Sequence, residues 1–111
     1  MCCSRIRVTL NGVVKDKQGQ YGIAGIYQKA SGLINNRRHW NSNTIDGYHA
    51  LWYSNISNKW LIGSSSDLGS DISGISSAQD SACPTSENLF KYYDGKEWTL
   101  APNNSISIQC A

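Results

Sequence analysis

Two histidines, His39 and His49, sixteen serines and eight carboxylates are the side chains with which this chain could move protons or attack a carbonyl. Ser-His-Asp hydrolysis needs a serine on a strained turn, a histidine in reach, and a carboxylate that orients the histidine. The G-x-S-x-G signature that presents such a serine is missing. A small serine-type hydrolase using His39 or His49 is therefore the alternative reading and not the leading one. Glycoside hydrolysis asks for two carboxylates about 5 to 9.5 Å apart across a cleft. Glu87, Glu97 and six aspartates are available, but most stand beside turn-forming glycine or serine, which explains them more simply. Cys83 precedes Pro84 without a histidine nearby, so a disulfide accounts for it better than a nucleophile does. Gly63-Ser64-Ser65-Ser66 lacks the lysine and the helix of a phosphate loop. The chain reads as non-enzymatic and without a cofactor.

Binding chemistry suits these side chains better. Aromatic rings stack on the apolar faces of sugars, and amides and carboxylates beside them supply directional hydrogen bonds. Trp40, Trp52, Tyr53, Trp60, Tyr92 and Trp98 are the rings, with Asn41, Asn43, Asp46, Asp67 and Asp71 as polar partners. The ligand-facing set expected from them is Trp40, Trp52, Tyr53, Tyr92 and Trp98, joined by Asn41 and Arg38. In so small a chain the same rings must also build the core, so four of the six are expected to be mainly buried. Neighbours on a strand point to opposite faces, so Trp52-Tyr53 and Tyr92-Tyr93 each send one ring outward or into a second core. Lys29, Arg37, Arg38 and His39 form a basic cluster that reads as an ordinary turn. Asp67 and Asp71 do not follow the EF-hand spacing, so a solvated loop is expected there and no metal site.

The 111 residues make a single domain spanning 1–111. Only 16% of them are charged, against roughly 25% in ordinary soluble domains, and serine, asparagine and glycine carry the polarity instead. A net charge of +2 is too small for a nucleic-acid footprint. No run of 18 apolar residues exists to enter a membrane. Met1-Cys2-Cys3-Ser4-Arg5 does not open a signal peptide, so an extracellular protein would be a mature or excised domain. Cysteines stand at 2, 3, 83 and 110 without the paired spacing of a zinc site. Cys2 and Cys3 are adjacent and should bridge elsewhere, with Cys3, Cys83 and Cys110 as disulfide candidates and the pairing open. The sequons Asn55-Ile56-Ser57 and Asn103-Asn104-Ser105 agree with secretion. A cytosolic domain with reduced thiols is the competing picture.

The elements that must position these groups are strands. Arg5 to Leu10 alternates, with Ile6, Val8 and Leu10 on one face. Asn11-Gly12 marks a turn, Val13-Val14 a return, Lys15 to Gln20 a loop, and Gly22 to Lys29 a glycine-containing strand. A short strand around Arg38 and Trp40 precedes a polar run from Asn41 to Gly47. Two hairpins follow: Tyr48–Tyr53 with Lys59–Gly63, and Phe90–Tyr93 with Lys96–Leu100 across Asp94-Gly95, a strong type I′ signal. Between them residues 64–84 read as one Ser/Asp/Gly-rich loop, long enough to be functional or disordered. Ser105 to Cys110 closes the chain as an alternating strand. The expected fold is all-β, an antiparallel meander of about seven or eight short strands forming a small sandwich or barrel.

The ordered landmarks Gly25-Ile26-Tyr27, Asn35-Asn36-Arg37-Arg38-His39-Trp40, Leu51-Trp52-Tyr53, Lys59-Trp60-Leu61-Ile62-Gly63, Cys83-Pro84, Tyr93-Asp94-Gly95-Lys96-Glu97-Trp98 and Ile106 to Cys110 run from one end of the chain to the other. Together they resemble a small β-rich repeat module of extracellular multidomain proteins of marine invertebrates and some protists. That module runs G-x-Y, N-G-R-P-x-Y, Y-x-Y-Y, W-x-I, C-P, W, D-G and a final cysteine. Here Asn36 stands for its glycine and Arg38-His39 for its Pro-x pair, so this turn should be shaped differently. The resemblance implies an extracellular β-domain and supplies no catalytic residues. The expectation is a secreted, non-catalytic module that binds a glycan or an extracellular protein through exposed aromatics. A structural spacer without its own ligand is the third reading.

Overall fold

Alternation of apolar and polar residues over runs of three to six defines nine strands in the computed structural model, which describes residues 2–11, 23–42, 49–86, 89–102 and 105–111. They are β1 (Arg5–Leu10), β2 (Gly25–Lys29), β3 (Trp40–Ser42), β4 (His49–Ser54), β5 (Lys59–Ser64), β6 (Ile75–Ser77), β7 (Phe90–Tyr93), β8 (Trp98–Leu100) and β9 (Ile106–Cys110). All pair antiparallel in a single sheet of order β8-β7-β6-β5-β4-β3-β2-β1-β9. The chain is thus a meander whose last strand returns to the outer side of β1. The sheet curls into a half-barrel, leaving β8 and β9 as its two edges. Gly12 to Gly22, Asn43 to Tyr48, Glu87 and the Asn103-Asn104 pair, on which several of the expectations fall, lie outside the described residues.

Register explains what lies inside. Trp40, Leu51, Ile62, Ile75 and Tyr92 stand opposite one another in a row across β3 to β7. With Ile6, Val8, Tyr27, Tyr53, Trp60, Phe90, Ile106 and Ile108 they form one buried cluster on the inner face. The row on the opposite face reads Trp52, Leu61, Ser76, Lys91 and Leu100 across β4 to β8. A second outer row, Arg5, Gln28, Asn41, Ala50 and Gly63, is polar until it reaches β4.

The expected loop at 64–84 is more ordered than its composition suggests. It opens with a 3-10 turn at Ser65–Asp67, capped by the Ser64 hydroxyl, then crosses the outer face and delivers β6 into the middle of the sheet. Three residues, Ile75-Ser76-Ser77, carry too little alternation to be read as a strand, which is why nine strands stand where seven or eight were expected. The crossing covers a second small cluster of Ala50, Trp52 and Leu61, packed against Ile34 and Leu68. It lies so close that a Cβ on Gly63 would meet Ser73 Cα at 3.0 Å. The outer face of β4 and β5 is therefore a covered layer.

Two other features hold the curl. The Asn35-Asn36 pair has φ of 54° and 66°, and Ile34 and Arg37 exchange backbone hydrogen bonds of 2.9 and 3.0 Å around it. Asparagine tolerates this left-handed backbone, so two consecutive asparagines can form the turn. The Asn35 side chain donates to Tyr53 O at 2.8 Å, tying the turn to β4. Disulfides join Cys2 to Cys83 and Cys3 to Cys110, resolving the open pairing so that the adjacent cysteines bridge to different elements. Replacing Cys3 and Cys110 by alanine removes a crosslink with a sequence separation of 107. In denaturant titrations that double variant should lose about 2–5 kcal/mol; an unchanged midpoint would show the crosslink to be dispensable.

Candidate functional site

The buried rings are accounted for by the core. Trp40, Trp52, Tyr53, Trp60 and Tyr92 are all buried, five of the six candidate aromatics where four were expected. Trp52 supplies the difference: it points outward from β4, as the Trp52-Tyr53 alternation requires, but the crossing segment covers it. Each buried indole satisfies its N–H on a backbone carbonyl. Trp40 donates to Cys3 O at 2.9 Å, Trp52 to Ser70 O at 2.9 Å and Trp60 to Ser81 O at 2.9 Å. Tyr53 donates its hydroxyl to Asp80 at 2.8 Å. Burial raises the Tyr53 phenol above its usual range, and the Asp80 bond adds to the rise. A ring enclosed on both faces cannot stack on a ligand, so Trp40, Trp52, Tyr53 and Tyr92 act as packing.

The basic cluster is likewise engaged. The Arg37 guanidinium lies 3.8 Å above the Tyr53 ring centre and donates to Ser81 O at 3.1 Å. Arg38 donates to Cys2 O at 3.3 Å. Arg38 faces two shallow hollows, one of about 360 Å³ beside Lys29 to Leu33 and one of about 470 Å³ beside Cys2, Arg37, Trp60 and Ala82. Asn41 is exposed on the outer face of β3, opposite Gln28 and Ala50, and so belongs to the other half of the sheet from Trp98. Asn43 and Asp46 lie outside the described residues. The Asp71 Oδ1 atom accepts from the Ser54 hydroxyl at 2.6 Å and the Ser57 hydroxyl at 2.8 Å, a turn-stapling role. The Asp67 backbone carbonyl accepts from Ser70 N–H and hydroxyl in a turn of its own.

What remains is Trp98. It is 44% exposed and stands opposite Tyr93, itself 40% exposed, the two rings meeting edge to face at 6.0 Å. Tyr92 points inward and Tyr93 outward, as the alternation requires. Of the four indoles only that of Trp98 makes no hydrogen bond through its N–H among the described residues. Trp98 borders an open groove of about 300 Å³ with Leu61, Ser76 and Lys91 from the outer row, Lys59 from the start of β5, Ser57 from the β4–β5 turn, and Asp71 and Ser73 from the crossing segment. The groove thus offers one apolar ring, several hydroxyls, one carboxylate and two ammonium groups. Asp94 orders its far end by accepting from Lys96 N and Glu97 N at 2.8 and 2.9 Å, which shapes the Asp94-Gly95 turn leading into β8.

Sequence reasoning named Trp98 and Asp71 but missed Lys59, Lys91, Ser57, Ser73 and Ser76. Alternation along β7 does place Lys91 on the same side as Tyr93, so that lysine carried a signal. The serines acquire a place only because the crossing segment folds over the sheet.

His39 and His49 both bury Nδ1 without a hydrogen-bond partner among the described residues. Comparison of the chain with protein-family models, curated proteins and solved structures returns no match.

Burial also lowers the His39 pKa from the usual histidine value. The unfolded chain then takes up a proton that the folded chain resists, so stability is full above that usual value and falls as pH drops through it. Urea midpoints should decline between about pH 7 and pH 5.5, and His39→Phe should flatten part of that decline. Identical slopes for the two proteins would exclude His39 as the source.

Proposed function

We propose that this protein is a secreted, disulfide-bonded, non-catalytic binding domain that holds a glycan in the groove beside Trp98. The observation that carries the reading is the single indole with an exposed face and an unused N–H. It stands next to hydroxyl and carboxylate groups, the combination that suits the alternating apolar and hydroxylated surface of a sugar. The other three tryptophans have their donors spent on the fold. Two disulfides support an oxidising compartment. No helix among the described residues is long and apolar enough to cross a membrane. The resemblance to extracellular modules of marine invertebrates and protists points the same way and belongs to the same proposal.

Recognition of a protein surface is the second reading, favoured by the apolar edge that Tyr93, Trp98 and Leu100 expose together. A spacer without a ligand would leave that edge and the groove without a purpose.

Trp98→Ala separates these roles. It should weaken glycan binding by more than about tenfold, since one stacked ring and its donor are worth about 1.4 kcal/mol or more. Its melting temperature should stay within about 3 °C of the parent, because the ring is half exposed and joins no core cluster. Trp52→Ala, by contrast, should cost about 3–5 kcal/mol of stability. Glycan binding that survives Trp98→Ala would place the site elsewhere on the surface. A melting loss for Trp98→Ala comparable to that of Trp52→Ala would mark the ring as structural.

A further inference from the structure

We infer that the groove selects acidic sugars, with Lys59 and Lys91 holding the carboxylate or sulfate of a ring stacked on Trp98; this rests on the glycan reading above. Lys91 stands in the outer row beside Ser76 and Leu61, and Lys59 lies two residues before Leu61 on β5. Strands spaced roughly 4.8 Å apart, rising about 3.4 Å per residue, put the two backbone anchors about 10 Å apart across the sheet and about 7 Å along it. Four-carbon stems let both ammonium groups meet over Ser76. Both line the groove with Trp98.

Charge decides the ligand class. Neither lysine has a carboxylate partner among the described residues. The one carboxylate in the groove, Asp71, already uses Oδ1 to accept two serine hydroxyls. Two cations therefore face one anion whose acceptor capacity is partly spent, and an incoming anion completes the balance. Lysines on an outer sheet face commonly serve solubility or guard an edge. Here β5 and β7 are interior strands of the sheet, so edge protection does not explain them.

The test titrates the intact, oxidised protein with three oligosaccharides of equal length: a neutral galactose oligomer, its galacturonate counterpart and a sulfated oligomer. Each titration is run at about 50 mM and about 300 mM salt, either side of the range where exposed charges become screened. The acidic oligomers should bind at least about tenfold tighter than the neutral one, less so at high salt. Lys59→Gln and Lys91→Gln should each weaken them by roughly fivefold and weaken the neutral oligomer by clearly less, with the melting temperature unchanged. The preference between galacturonate and sulfated oligomers tells carboxylate from sulfate. Equal affinity for neutral and acidic oligomers, lost on Trp98→Ala, would overturn the charge inference and leave the glycan reading standing. Acidic binding insensitive to both lysines but lost on Arg38→Gln would overturn it in favour of the other end of the molecule. Binding of none of the three would overturn both.

Discussion

Burying a tryptophan brings an N–H donor into the core, and an unmet donor there costs about 1–3 kcal/mol of what the ring's burial yields. Three of the four tryptophans meet this requirement in the same way, on backbone carbonyls of segments that are not strands: the N-terminal residue Cys3, the crossing residue Ser70, and Ser81 before the 3-10 turn at Pro84–Ser86. Each bond therefore does two things. It makes a large ring tolerable inside a thin domain, and it fastens an irregular segment onto the sheet. Trp40, Trp60 and Tyr53 pack edge to face at 5.8 and 5.3 Å, and Arg37 lies over the last of them, so the segments fastened at Cys3 and Ser81 share one aromatic block. The disulfides close the same junctions covalently, Cys2 onto the Ser81 segment's end and Cys3 onto β9.

An open, curled sheet buries its inner face by curvature alone, but its outer face has to be covered or solvated. This protein does both. From β9 to β3 the outer face carries Gln109, Arg7, Arg5, Gln28 and Asn41 and is mostly polar, with Ile26 an apolar side chain beside Arg7. Over β4 and β5 the crossing segment lies on Ala50, Trp52 and Leu61. From β6 to β8 the cover stops, and the step between covered and uncovered sheet is the groove beside Trp98. The proposed binding function uses a feature the architecture creates anyway, which needs only a ring, some hydroxyls and charges placed along the step. Glycine at position 63 sets how low the cover sits, because any Cβ there would push Ser73 away.

Much of the fold could be read from alternation. Ile6, Val8 and Leu10 lie inward and the two long hairpins pair where their aromatics predict, although the second turns on Gly95-Lys96 between Asp94 and Glu97, with Gly95 but not Asp94 at positive φ, and not as the type I′ turn expected at Asp94-Gly95. The site was harder to read. Four of the rings chosen for a ligand are core: Trp40, Tyr53 and Tyr92 face the inside of the sheet, and Trp52 lies on an outer face that composition cannot show to be covered. Trp52 and Trp98 both point outward from their strands, and only the path of residues 65–74 separates them. That path depends on three residues of β6 entering mid-sheet, a strand too short to show a period.

Pattern and turn chemistry by themselves determined the all-β class, the antiparallel pairing within the two hairpins and the inner face, because strand periodicity is local and each of those follows from residues within one or two turns of each other. Tertiary structure alone decided which cysteines pair, which outward ring is covered, and which lysines, serines and aspartate share a groove. Those outcomes depend on one irregular segment meeting a sheet whose parts lie far apart in the chain, and the carbonyls that hold it there belong to the backbone, whose positions no side-chain pattern encodes.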